Sequence, residues 1–203
     1  MWKNILKAPI WRIGQKVNLK PDTAIVATNV KGLIDEWKPV NPNDMDTTGL
    51  LSDFGYYTNE KPPGLYYSLG DGSWPDWIFG EMPRWSDRYT YVYEIHLTGN
   101  ILKLTTKQEH IDFFKKYVSR FMPPGKKPSI NWRLVMNEYD GIQVMGRDFH
   151  REAYIGDDVD NLKWLYGWDI NGGVIWNRNG FKVGKLLFSR DDEEWEDYDE
   201  ERY

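Results

Sequence analysis

The chain has 203 residues, 40% hydrophobic and 16% aromatic, with 11 tryptophans and 13 tyrosines, enough for one core built largely from rings. A mean hydropathy of −0.68 and the lack of any apolar run near the ~20 residues that span a bilayer exclude a helical membrane protein. No cysteine is present, which excludes disulfides, thiolate metal sites and cysteine nucleophiles, and the formal charge is −5.

The N-terminal MWKNILKAPIW is basic but has neither a long apolar stretch nor a small-residue cleavage site, so no export is expected, and the absence of cysteine suits the cytoplasm. Thr23–Thr28 (TAIVAT) is rich in β-branched residues and predicts the first strand. Residues 38–64 hold Pro39, Pro42, Pro62 and Pro63 among Asn, Asp and Gly, a long loop region of the kind that often carries function. Next comes KPPGLYYSLGDGSWPDW (61–77), in which GLYYSL predicts a strand and GDGSWPDW a sharp turn. Its density of glycine and proline around four aromatics fits either a pocket for a planar ligand or a tight turn under a ring-rich core.

Tyr89–Leu97 (YTYVYEIHL) alternates with a period of two and predicts a strand. Gly99-Asn100 turns the chain, and ILKL (101–104) is expected to return beside it. A helix starts at Thr105 or Thr106, with Gln108 or Glu109 completing a capping box, and Ile111, Phe114, Val118 and Phe121 form its apolar stripe. MPPGKKP (122–128) ends it. Ser129 is expected to cap a second helix, INWRLVMNEY, which leads into a YDGIQV strand at 139–144. Asn171-Gly172 and Asn179-Gly180, each among β-prone residues, predict two-residue hairpin turns. They would make residues 163–188 a three-stranded meander, with Gly167 opposite Trp176 and Trp168 opposite Ile175.

The acidity is concentrated at the end. RDDEEWEDYDEERY (190–203) sets nine acids against Arg190 and Arg202, a charge of −7, leaving 24 cations against 22 acids elsewhere. Such a run resists compaction and reads as a solvated tail or as a docking strip for a basic partner. The expected architecture is α+β, with one domain over 1–189 in mainly antiparallel or mixed sheets, two mid-chain helices, a C-terminal meander, and the tail at 190–203.

Several chemistries lack their pattern. There is no GxxxxGK[ST], no GxGxxG after a strand and no GxSxG. His96, His110 and His150 have no metal-ligand spacing. Lys115, Lys116, Arg120, Lys126 and Lys127 could form a nucleic-acid surface, but cations also suit a helix C-terminus. Trp74, Trp77, Trp85, Trp164, Trp168 and Trp176 could stack on sugars. Of the carboxylates a glycosidase would need, Asp71, Asp76, Glu81 and Asp140 are candidates, and no spacing selects a pair.

Three segments in order, KPPGLYYSLGDGSWPDW, NEYDGIQV and WLYGWDINGGVIWN, resemble a group of small phage, bacterial and large-virus proteins. Their pattern runs K-P-x-G-L-[WY]-x-S, then Y-D-G-I, then G-W-D-x-x-x-G-x-I-W-N, and the layout is similar to that of ADP-ribosyltransferases. The resemblance covers about a fifth of the chain. It implies an NAD site with Tyr66 and Tyr67 stacking on the nicotinamide, Ser68 as the hydroxyl near the ribose, and Thr28, Asn29 and Trp77 as further cofactor contacts. A carboxylate should meet the cationic ribose; the matching position is Gln143, with Asp140 as the replacement. The arginine or histidine usual on the first strand is missing from TAIVATN. By alternation Tyr66 and Ser68 share a face, whereas Tyr67 points to the other side and suits the core. Tyr139-Asp140-Gly141 also fits a plain helix-to-strand turn.

The resemblance thus implies a transferase that moves ADP-ribose from NAD to a macromolecular acceptor, protein or nucleic acid, in the cytoplasm, that of a host if viral. Its site would be altered or degenerate. The alternatives are a non-catalytic interaction or virion-associated protein, with the tail contacting a basic partner, and a nucleic-acid-binding factor.

Overall fold

The computed structural model describes residues 20, 22–28, 32–42, 61–70, 74, 91–119, 129–149, 155 and 159–189. One seven-stranded sheet organises them. Its strands are β1 (Ala24–Thr28), β2 (Leu65–Leu69), β3 (Tyr91–Leu97), β4 (Ile101–Leu104), β5 (Gly141–Met145), β6 (Asn171–Ile175) and β7 (Phe181–Ser189), in the spatial order β4-β5-β6-β2-β1-β3-β7. All neighbours are antiparallel except β4 and β5. Helices α1 (Leu33–Glu36), α2 (Lys107–Tyr117), α3 (Trp132–Glu138), α4 (Gly146–Phe149) and α5 (Val159–Leu162) surround it, with a 3-10 turn at Lys163–Leu165. The result is a single mixed α/β domain.

The connections show that the sheet curls. Leu97 and Ile101 are four Cα steps apart, a reach of at most ~14 Å, yet five strand spacings separate β3 from β4, about 24 Å if flat. The gap closes because diagonal corners of the sheet meet. Thr98 N donates to Gly180 O at 2.8 Å, and Asp140 N to Asn100 O at 2.9 Å. A Cβ on Gly180 would lie 2.6 Å from Ile175 Cγ2 and 3.2 Å from Asp140 O, so the chain approaches here as closely as glycine allows. The corner of β4, β5 and β6 is thereby held against the Leu97–Phe181 corner of β3 and β7.

Curling gives the sheet two unlike faces. The concave face carries Val26, Tyr67, Tyr93, Ile175 and Phe181, capped by Ile34 of α1, as one apolar cluster. The outer face of β4–β6 packs Ile142, Val144 and Val174 against Phe113 and Tyr117 of α2, Trp132 and Val135 of α3, and Trp164 and Trp168. The predicted strands on β1, β2, β3 and β5 are present to within two residues, and Thr106 and Glu109 form a full capping box on α2.

Three expectations are corrected. ILKL is a strand, but it lies at the far edge, parallel to β5, and not beside YVYEIHL. Asn131, not Ser129, caps α3: its side chain accepts from Leu134 N, while Ile130 is held in an isolated bridge to Val118. The meander is absent. Asn171-Gly172 lies inside β6, which pairs with β5 and β2, and Asn179-Gly180 leads to β7 on the other half of the sheet. Gly167 therefore does not face Trp176, nor Trp168 Ile175.

The reason is steric. A Cβ on Gly173 would overlap Ile142 O and sit 2.5 Å from the ring end of Tyr67; one on Gly172 would overlap Tyr67 O. Gly173 makes room for a tyrosine ring lying across the sheet and Gly172 lets the β2 backbone come close, uses that turn statistics cannot distinguish from a hairpin. Residues 1–19 and 190–203 and most of 71–90 lie outside the described residues, as does the acidic tail.

Candidate functional site

The ladder registers decide which of the candidate residues meet. Gln143 pairs with Gly173, and Gly173 with Tyr67, so these three form one row on the concave face. Thr28, in the same alternation as Val26, lies farther along that face, pairs with Tyr91 and is buried. Gln143 and Met145 on β5 are half-buried on this face, and exposed Lys103 of the edge strand β4 pairs with Gln143 in the same row.

Tyr66 and Ser68 lie on the opposite face. Tyr66 pairs with Val174 and Ser68 with Gly172, in the rows that carry Ile142 and Val144 into the helix-covered core. Ser68 is 0% exposed and its hydroxyl has no hydrogen-bond partner. Tyr66 donates its hydroxyl to Pro62 O and tilts against Trp168 at 6.5 Å. Lys61 Nζ sits 5.9 Å from the Tyr66 ring and 5.3 Å from the Trp168 ring. Burial raises the phenol pKa of both Tyr66 and Tyr67, so both are neutral packing groups at any ordinary pH. Tyr67 is 1% exposed, with its hydroxyl 3.4 Å from Ile142 O.

Asp140 stands at the head of β5, in the closed corner. Its carboxylate accepts from Asn100 N at 2.8 Å, and its carbonyl accepts from Trp176 N and Asn177 N at 3.1 and 3.2 Å. The group that could have replaced the missing glutamate is thus used to join the two corners. Asn29 and Trp77 lie outside the described residues.

Trp164, Trp168 and Trp176 are 4%, 3% and 2% exposed and present no ring to a sugar. Trp74 is half-buried; Trp77, Trp85, Asp71, Asp76 and Glu81 are outside the described residues. Lys116 pairs with Glu138 at 2.8 Å, and Tyr117 donates to the same carboxylate at 2.6 Å. These contacts raise the pKa of Lys116 and lower that of Glu138, a helix-joining pair on the surface. Lys115 is exposed, whereas Arg120, Lys126 and Lys127 are outside the described residues. Among the described residues no group of three His, Asp or Glu side chains could hold a metal ion, and no helix is long and apolar enough to cross a membrane.

Sequence reasoning gave no sign of a polar inclusion in the outer core, where His110 and the indoles of Trp164 and Trp168 are buried with a nitrogen of each unpaired. His110 falls beside the apolar stripe of α2, and nothing in its spacing marks it.

Comparison with known proteins finds no matching family model, no matching curated protein and no matching solved structure.

Proposed function

We propose that this chain works as a non-catalytic interaction domain. The observation that carries the reading is the division of the expected site: Ser68 and Tyr66 on the helix-covered face, Gln143 and Tyr67 on the concave one. A sheet separates two groups that ribosyl transfer would need on one ribose, and Asp140 is occupied in the corner. Geometry precedes acidity in such chemistry, and this geometry supports binding. The partner has the chemistry that the tail at 190–203 would select, a basic protein surface met by nine acids. Deleting 190–203 tests it. The expected result is an unchanged fold with lost association to basic proteins, weakening steeply with salt in the full chain; association unaffected by the deletion would overturn the reading.

A second reading rests on the concave face. Gln143, half-buried beside Tyr67 and with Thr28 on the same face, supports a site for a planar ligand such as NAD in an ADP-ribosyltransferase-like layout, with transfer weakened by the missing carboxylate. Calorimetry with NAD and incubation with labelled NAD and cell extract separate the two readings. Binding that Gln143→Ala abolishes supports the second; no binding, no nicotinamide release and no label transfer end it.

A further inference from the structure

Helix α2 buries a group that its packing does not require. His110 is 0% exposed and lies between the rings of Trp164, stacked at 5.9 Å and 27°, and Phe149, at 5.0 Å. Its Nδ1 is 2.6 Å from Thr106 O. A carbonyl only accepts, so Nδ1 carries the proton and donates it. Nε2 is then a bare lone pair, buried without a hydrogen-bond partner. A second proton would place a charge and a new N–H at an atom with no acceptor.

Among the described residues, few charged groups lie on the elements packed against the ring. On α2 itself, Glu109 also favours the charged ring electrostatically, with its carboxylate held by Thr105 and Thr106, and Asp112 accepts from Gln108. Beyond α5, Lys163 lies 4.0 Å from Asp160, both exposed. From α4 comes Asp148, which favours the charged ring electrostatically but accepts from Asn171 Nδ2 at 3.0 Å. Among the described residues it is the carboxylate from another element that favours the imidazolium, and Asn171 holds it.

We propose that His110 is the trigger of an acid-operated latch between α2 and α4, in which the imidazolium takes Asp148 as partner, Asn171 is released, and α4 leaves its seat with Phe149. Burial holds the His110 pKa below the ordinary histidine range. A histidine exposed by opening titrates at the ordinary ~6.5 or, paired with Asp148, above it, so the open state binds more protons and the closed state loses stability as pH falls below about 6.5. The movement has a place to go. Helix α4 continues directly from β5, the strand of Gln143 and Met145, and Gly146 is wedged against the backbone of Trp168. Release of α4 therefore frees the end of the strand that carries the half-buried Gln143 and Met145 on the concave face.

The full chain tests this by NMR, since His96, His110 and His150 are its only histidines. The imidazole resonances are followed from pH 8 to 4.5 together with amide exchange in Gly146–Phe149. Opening should rise about tenfold per pH unit below ~6.5, while the amides of β3 stay protected. Asp148→Asn should lower the His110 midpoint, and Asn171→Ala, which frees Asp148, should raise it. His110→Gln should make the exchange of α4 independent of pH. If that variant does not fold, the two variants at the Asp148–Asn171 contact decide. Exchange of α4 that only tracks β3, or a midpoint unmoved by either of those variants, would overturn the latch.

Discussion

The carboxylate of Asp140 accepts from the amide of Asn100 across a 2.8 Å gap, tying the head of β5 to the loop leaving β3. Backbone bonds from Asp140 to Asn100, Trp176 and Asn177 surround it. Removing the side chain leaves those bonds in place but strands one amide near the surface. Asp140→Ala should therefore cost about 1–2 kcal/mol, the range for a partly exposed hydrogen bond to a charged group. Asp140→Asn, which keeps an acceptor, should cost less. Urea midpoints at constant slope measure both. Equal losses in the two variants would mean that the acceptor is not what closes the corner.

Gly173 separates the strand from the hairpin it was expected to flank. A Cβ there overlaps Ile142 O and the end of the Tyr67 ring, both fixed by the sheet and its core. Gly173→Ala should cost at least about 3 kcal/mol or prevent folding, as overpacking against backbone does. Gly167 is the control. It has φ +83 but only Lys61 Cε at 3.6 Å beside it, so Gly167→Ala carries the backbone penalty alone, about 1–2 kcal/mol. Thermal unfolding of the two variants ranks them, and the reverse order would contradict the placement of Tyr67.

What the sequence reveals follows from how local the cause is. Tyr91–Leu97 alternates because one face is buried, and Thr106 with Glu109 marks a helix start, so both are readable from neighbours in sequence. The division of Tyr66 and Ser68 from Tyr67 is likewise set by the pleat. The partner of a strand is not local. ILKL looks like the return arm of a hairpin, yet its ladder is parallel to a strand forty residues on, because the corner at Asp140 needs it there. The same blindness affects Gly172 and Gly173, whose role is fixed by Tyr67, a residue more than a hundred positions away. The expected site failed to assemble for this reason: the residues were placed on their strands, but the order of strands and the facing of β5 relative to β2 determine whether they meet.

Ser68 offers a test in which packing and catalysis predict opposite results. Its hydroxyl is fully buried and unpaired, so desolvation costs it and nothing in the core offsets that. Ser68→Ala should be neutral or stabilising by up to about 1 kcal/mol, and partner binding should be unchanged. A loss of NAD-dependent activity with stability preserved would instead make the hydroxyl a working group.

The acid side of the stability profile should carry the signature of Glu109. Its carboxylate accepts from Thr105 N at 2.7 Å, Thr106 N at 2.8 Å and Thr105 Oγ1 at 3.0 Å, and the backbone bonds from Thr105 and Thr106 push its pKa down to about 2. The unfolded chain takes up the proton nearer the ordinary glutamate value, so between the two the unfolded state binds more protons. The stabilisation is therefore fully present above about pH 4.5 and is lost as pH falls towards 2. The group is exposed, and the contribution is that of a cap, about 1 kcal/mol at neutral pH. Glu109→Gln should be less stable than the natural chain by about that amount at pH 7, and the gap should close by pH 2.5. Glu109 also favours the charged form of His110 electrostatically, so the same pair is compared in a His110→Gln background, which removes that titration from the difference. A gap that stays constant from pH 7 to 2.5 would show that the charge on Glu109 adds nothing to the start of α2.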